Sequence, residues 1–392
     1  MSTVARESGT VRLDGRVVVV GGGLAAARVA SALRRKKLTG PIDIVTAEEH
    51  LPYDRPPLSK DVLVGSKDST ALPFDPSRLD VTVHTGRTAT GVDTRAQILR
   101  TDAGDLAYDG LVIATGAAPI RLPGDGEQFT LRTIDDALSV RDRLTPGARV
   151  VIIGASWIGA EVATAARTRG CHVTCLEYAE APLANTLGQA VAGHLLPWWS
   201  GIDLRCGTSV EEVTDDGVVL ADGSVISADV VVTGIGVRPC IGWLDGSGLP
   251  TDRGVLTDEF CRTAVAGIVA VGDVAQRWSP SADRHRLVEH WDDAGGAAAT
   301  AASALLGEAA AYDPVPYFWS DQFGHKIQYV GAHGPDDTET ITTTEVGELD
   351  AVAWTTPNGD LSAWLGVDRP RDVIAARTAV GSPAAEFAAA HA

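Results

Sequence analysis

No cysteine occurs before Cys171, and the chain of 392 residues has only five. A mechanism that needs a thiol therefore has none in that long N-terminal stretch. Cys171 and Cys175 are neighbours in GCHVTCLE, but this reads as a strand, and four strand residues separate them by about 13 Å. That is beyond the reach of a disulfide. The five cysteines are expected to be buried small hydrophobes in a reducing compartment. Neither CxxC nor HxxxH spacing occurs, so no metal site is expected.

Basic charge is scarce as well. Lys and Arg total 33 against 51 Asp and Glu, a formal net charge of −18, which argues against a nucleic-acid partner. No uninterrupted apolar run is long enough for a transmembrane helix, so no membrane partner is expected. The opening MSTVARESGTVRLDG lacks the apolar core of a signal peptide, and residues 1–11 read as a disordered polar tail. A cytoplasmic location follows as the expectation.

What is present is a soluble globular balance, 45% hydrophobic and 21% charged, in a chain long enough for two or three domains. One pattern appears twice. VVVVGGGLAAARVA (17–30) and VVIIGASWIGAEVA (150–163) each place four β-branched residues before a glycine turn and an Ala-rich segment. Such a unit reads as a buried parallel strand feeding a helix. Gly21, Gly23 and Ala26 fill the first motif; Gly154, Ser156 and Gly159 fill the second. The first glycine makes the tight turn, and the second lets backbone approach a pyrophosphate. The third small residue packs the helix on the strand, with its N-terminus facing the phosphates. Ser156 adds a small hydroxyl at the point of close approach.

An acidic residue ending the next strand completes such a site by holding a ribose hydroxyl. CHVTCLE ends in Glu177, and IDIVTAEE offers Glu48 or Glu49. Both contexts predict dinucleotide sites. Glu177 accepts from a free 2′-OH and repels a 2′-phosphate, which predicts NADH over NADPH.

Further motifs stand between and beyond these two: HLPYDRPPLSK (50–60), LVIATGAAP (111–119), GIGVRP (234–239), IVAVGDVA (268–275), VEHW (288–291) and YFWSDQ (317–322). In this order the chain resembles the FAD-dependent NADH:ferredoxin reductases, the putidaredoxin reductase and ring-hydroxylating dioxygenase reductase type. Apoptosis-inducing factor is a more distant relative. The resemblance runs from Val17 to about Arg377.

The resemblance implies that Gly21, Gly23, Leu24, Ala25, Ala26 and Glu48 bind FAD. It implies the same for Ala89, Ala114, Thr115, Gly116, Gly272 and Asp273. Arg55 and Arg132 would also bind FAD, with Arg132 near its phosphates, and Trp291 and Trp319 would lie by the isoalloxazine. Gly154, Ser156, Ile158, Gly159, Glu177 and Gly236 would bind NADH. Lys60 would sit beside the flavin and pair with Glu161 as the catalytic pair, orienting the nicotinamide and stabilising charge,. On residue grounds alone, Lys60 and Arg55 read as solvated charges and Arg132 as a surface ion pair. Asp273 reads as a helix N-cap and the tryptophans as core aromatics.

Disulfide reductases of this architecture carry a redox cysteine pair, and related oxidases and peroxidases a single cysteine; HLPYDRPPLSKDVL has neither. Electrons should therefore leave the flavin directly. The expected acceptor is a [2Fe–2S] ferredoxin serving a cytochrome P450 or Rieske oxygenase. The rivals are a flavin-dependent NADH oxidase or diaphorase, and an NADH-responsive flavoprotein like apoptosis-inducing factor. A monomer or homodimer is expected. An acidic ferredoxin needs a local basic patch, for which Arg284, His285 and Arg286, His325 and Lys326, or Arg369 and Arg371 are candidates.

Three features depart from the family: Ser156, the segment DDAGGAAATAASALLG, and the acidic DDTETITTTEVGELD (336–350). In the second, Asp293 and Ala297 replace an asparagine and a glutamine, and Gly295-Gly296 should weaken the helix. The expected fold class is α/β, with two Rossmann-like domains and a smaller α+β C-terminal domain. The FAD domain would span 12–118 and 240–306, the NADH domain 119–239, and the C-terminal domain 307–392. KIQYVGAH, ETITTTEV and AVAWTT read as the C-terminal strands.

Overall fold

The computed structural model describes residues 10–308 and 310–391. Two compact units emerge. One comprises Met1–Asp54, Thr70–Ala118 and Arg238–Pro314; the other comprises Arg55–Ser69, Pro119–Val237 and Val315–Ala392. The chain assigns HLPYDRPPLSK to both, with the break after Asp54.

The first unit is built on a five-stranded parallel sheet. Its strands run in the order Ile268–Ala270, Gly110–Ile113, Val17–Val20, Ile42–Val45, Val81–His84. Every residue of Val17–Val20 is buried, as a strand covered on both faces requires. Helices Leu24–Arg35 and Trp291–Leu305 share one core, in which Ala26, Ala30 and Leu33 meet Ala297, Ala301 and Leu305.

The second helix is unbroken at Gly295-Gly296, so the expected weakening does not interrupt it. The reason lies in packing: a Cβ on Gly296 would stand 2.1 Å from the Tyr312 hydroxyl. Glycine there makes room for an aromatic ring, and that contact offsets its poor helix propensity.

The second unit carries a four-stranded parallel sheet in the order Asp203–Arg205, His172–Leu176, Arg149–Ile153, Val230–Thr233. Helix Trp157–Thr168 follows its central strand. Beyond it lies a five-stranded antiparallel sheet. Its order is Tyr317–Gln322, His325–Gly331, Leu361–Val367, Leu349–Thr355, Thr338–Thr343. Helices Val373–Ala379 and Ala384–His391 close the chain. Three of these strands match the sequence expectation. Leu361–Val367 escaped it, since LSAWLGV is buried at six of seven positions and shows little alternation,.

Three local expectations need correction. Most of the expected tail lies outside the described residues. Val11, however, is buried and its amide donates to the Leu305 carbonyl over 2.7 Å. The three prolines of HLPYDRPPLSK predict an extended loop up to Pro57, but Pro56–Ser59 forms a 3₁₀ turn; proline at its first position supplies the fixed φ such a turn needs. Finally, only Cys175 and Cys261 are buried, while Cys171, Cys206 and Cys240 are half-buried. Among the described residues no helix is long and apolar enough to cross a membrane.

Candidate functional site

In the first unit, Gly21 turns the chain at φ +123°, and a Cβ on it would fall 2.0 Å from the Ala114 carbonyl oxygen. A Cβ on Gly22 would fall 2.3 Å from Thr46 Oγ1. Only glycine fits either place. Gly23 then caps Leu24–Arg35 with no side-chain hydrogen bond, and no acidic residue stands in the first turn. Leu24 and Ala25 open a helix end whose amides have no side-chain partner among the described residues, while buried Ala26 packs on the sheet. This is an anion cradle.

Gly272, at φ +73°, comes up against Ala25, where its Cβ would lie 3.4 Å from the alanine's. Asp273 follows it in a 3₁₀ turn that has no side-chain cap, so the N-cap alternative is not what the residue does. The fold therefore brings Gly21, Ala25, Ala114 and Gly272 together. Thr115 donates to the Cys240 carbonyl over 2.9 Å, and Gly116, at φ +64°, accepts from the Cys240 amide over 2.9 Å.

Of the two candidate acids, Glu48 accepts from the Tyr53 hydroxyl, whereas Glu49 lies against Gly86, whose Cβ would be 2.3 Å from its Oε1. Trp291 Nε1 donates to Asp54 Oδ1 over 2.5 Å. Ala89 opens strand Ala89–Asp93 of a separate antiparallel sheet. The glycine cradle and the uncapped helix fit the pyrophosphate of a bound FAD.

The second motif is finished differently. A Cβ on Gly159 would stand 1.9 Å from the Gly154 carbonyl, and one on Gly154, at φ +97°, 2.6 Å from the Gly234 carbonyl. Ser156 caps Trp157–Thr168 itself: its Oγ accepts from the Gly159 amide over 3.2 Å and donates to the Gly234 carbonyl over 2.8 Å. Glu177 Oε2 accepts from the Ala155 amide over 2.6 Å, and Oε1 from the Ala179 amide over 2.8 Å. Beside them opens a cavity of about 590 Å³, lined by residues 153–157, 176–179, 183–186, 208–210 and 234–236 together with Leu122.

That size suits a cofactor. Gly154, Ser156, Glu177 and Gly236 line the cavity; Ile158, 40% exposed, does not. Trp157, Asn185 and Thr208 line it too; sequence reading passed over them because Trp157 fills a variable position of the glycine pattern and the other two stand outside it.

Lys60 and Glu161 meet in the same unit. Lys60 Nζ lies 2.9 Å from Glu161 Oε2, with the two side chains 19% and 3% exposed. Ser59 donates to the same carboxylate oxygen. Ser320 Oγ donates to Oε1 over 2.6 Å, and the Asp321 amide over 3.2 Å. A buried carboxylate needs this many donors. Ser59 and Ser320 were not singled out from sequence, although both lie inside quoted motifs, PPLSK and YFWSDQ. Arg55 Nη1 donates to the Arg132 carbonyl over 2.5 Å, and the Trp319 ring stacks on Tyr317 at 6.1 Å.

The departure at Asp293 has a partner. Arg277 makes a two-pronged contact with it, at 2.6 and 3.2 Å, both side chains being 8% exposed. The guanidinium also covers the Tyr312 ring at 4.8 Å.

The candidate basic patches separate. His325 pairs with Asp368 at 2.9 Å, Lys326 with Asp321 at 3.3 Å, and Arg369 with Asp350 and Asp372. Arg284 and Arg286 stand on the edge strand Arg284–Leu287, in ion pairs with no carboxylate among the described residues. Burial lowers the Arg286 pKa, as does the neighbouring Arg284 charge. The buried thiols of Cys175 and Cys261 are pushed up by desolvation, Cys261 to about 12, so neither is a nucleophile.

Comparison with known proteins agrees with this geometry. The pyridine nucleotide-disulphide oxidoreductase family model matches residues 15–298, and a reductase C-terminal model matches 317–392. The chain is 34% identical to the anthranilate 1,2-dioxygenase system ferredoxin–NAD(+) reductase component of Burkholderia cepacia, over 94% of each protein. A crystal structure of Fdr9 superposes with TM-score 0.91 at 53% identity, covering 93% of this chain and 94% of that one. The covalent putidaredoxin reductase–putidaredoxin complex superposes with TM-score 0.87 at 30% identity, covering 93% and 92%. With two dinucleotide sites on one chain, FAD and NAD(H) as cofactors, and a match that spans most of its length, the protein belongs to the pyridine nucleotide-disulphide oxidoreductase family.

Proposed function

We propose that this chain is an NADH:ferredoxin reductase that supplies a [2Fe–2S] ferredoxin working with a Rieske oxygenase or a cytochrome P450. The buried Lys60–Glu161 pair carries the reading. A fixed carboxylate holding one ammonium group, with no cysteine between Met1 and Gly170, suits transfer to an external acceptor and leaves a thiol relay without its thiol. When bound, FAD takes a hydride and gives up electrons singly.

The residues divide the work. Gly21, Gly23, Leu24 and Ala25 would hold the FAD pyrophosphate on a helix N-terminus with Gly272 and Asp273 alongside,. The cavity beside Glu177 would hold NADH. Glu161 orients Lys60, whose side chain stays 19% exposed. Ala89 and Trp291 complete the proposed FAD surroundings within the first unit. A cytoplasmic location fits the unpaired state of all five cysteines,.

The test is NADH-driven cytochrome c reduction with and without an added [2Fe–2S] ferredoxin. A large ferredoxin-dependent gain supports the reading. Rapid flavin bleaching by NADH without any such gain, across several ferredoxins, would move the protein to an oxidase or diaphorase.

A further inference from the structure

The two dinucleotide motifs differ in how their helix ends are satisfied, and the difference lies in one side chain. Among the described residues no side chain caps the start of Leu24–Arg35. Trp157–Thr168 is capped by Ser156, which stands where the dinucleotide pattern has its second glycine,. Its Oγ accepts from the Gly159 amide over 3.2 Å and donates to the Gly234 carbonyl over 2.8 Å. Gly234 lines the cavity, as do Ser156 and Trp157, and Gly159 stands in the first turn of the helix that they begin. The Ala155 amide is likewise taken by Glu177 Oε2 over 2.6 Å.

We propose that Ser156 is an affinity-setting residue: its hydroxyl serves as an internal substitute for a ligand oxygen at the NADH helix and keeps the dinucleotide weakly held and quick to exchange. The inference rests on the reading that this cavity binds NADH. The physical basis is competition. An amide already bonded within the protein gives a ligand no new hydrogen bond, and a side chain at the close-approach position holds the pyrophosphate off the helix end. The uncapped first helix has neither impediment, which suits a cofactor that stays bound. A substrate that must leave after each turnover is better served by the capped one.

The experiment is calorimetric titration of the oxidised, FAD-loaded protein with NAD+, comparing wild type, Ser156→Gly and Ser156→Ala. One recovered hydrogen bond is worth about 1 kcal/mol, so both variants are expected to bind NAD+ about fivefold more tightly. Glycine is itself a fair N-cap, so Ser156→Gly folds even if Ser156→Ala proves less stable. The sign separates the proposal from a purely structural cap, whose loss would loosen the helix end and weaken binding. Weaker binding in both variants, or no change in either, overturns it. The reductase reading fails separately, if wild type binds NAD+ but passes no electrons to a ferredoxin.

Discussion

Replacing Glu161 with glutamine is expected to slow reduction of the bound flavin by NADH roughly 30-fold. The magnitude follows from the contacts. Glutamine keeps the shape and one carbonyl oxygen, but it removes the negative charge 2.9 Å from Lys60 Nζ. Lys60 then keeps the Pro56 carbonyl, at 3.2 Å, and at most a neutral amide oxygen in place of the carboxylate. A hydrogen bond to a charged group inside a protein is worth about 1.5–3 kcal/mol. The Lys60 side chain is 19% exposed, so the middle of that range, about 2 kcal/mol, is appropriate, and each 1.4 kcal/mol is about a factor of ten in rate. Ser320→Ala removes one hydroxyl donor to the carboxylate at 2.6 Å but leaves the charge pair standing, which corresponds to the low end of that range, about 1.5 kcal/mol and roughly a tenfold slowing. Lys60→Met removes the cation itself and should slow the reaction at least as much as Glu161→Gln. The assay is anaerobic stopped-flow mixing with saturating NADH, followed by loss of the flavin's visible absorbance. A wild-type rate in both Lys60→Met and Glu161→Gln, or a larger effect from Ser320→Ala than from either, would refute the reasoning.

Other perturbations have equally definite outcomes. Glu177→Ala should erode the preference for NADH over NADPH, measured as the ratio of kcat/KM values, because the carboxylate that repels a 2′-phosphate is gone; an unchanged ratio would remove Glu177 from that role. Charge reversal at exposed Arg284 and half-buried Arg286 should raise the KM for ferredoxin at low ionic strength and much less at high salt, since charges that reach solvent act within a Debye length; equal effects at both would exclude this strand as a docking surface. Asp293→Ala strands Arg277, whose side chain is 8% exposed, and should cost about 3–5 kcal/mol, seen as a large fall in the thermal midpoint. Recovery of most of that loss in Arg277→Met/Asp293→Leu would show that the charges, rather than the fold around them, set the cost.

The strand–turn–helix units and the positions of their glycines were legible from local sequence because local sterics dictate them. A chain that turns at φ +123° at Gly21 or +97° at Gly154 admits almost nothing but glycine, so the requirement is written into the residue type. Buried parallel strands likewise announce themselves as β-branched runs. By contrast, the surroundings of Glu161 draw on residues 102 and 159 positions away, Ser59 and Ser320. Ser156 acts on a carbonyl 78 positions distant. No periodicity encodes such meetings; they exist only once sheets and loops have packed.

The same holds for Gly295-Gly296. Propensity marks the pair as a weak place in a helix, yet the Tyr312 hydroxyl against Gly296 makes a glycine there a packing requirement. Asp293 reads in sequence as a departure and in the fold as half of an ion pair with Arg277. The sequence by itself determined that the chain has two dinucleotide sites and no early thiol. The tertiary structure alone decided which side chains satisfy one another at those sites, because hydrogen bonding between buried groups is settled by where packing brings them, not by their distance along the chain.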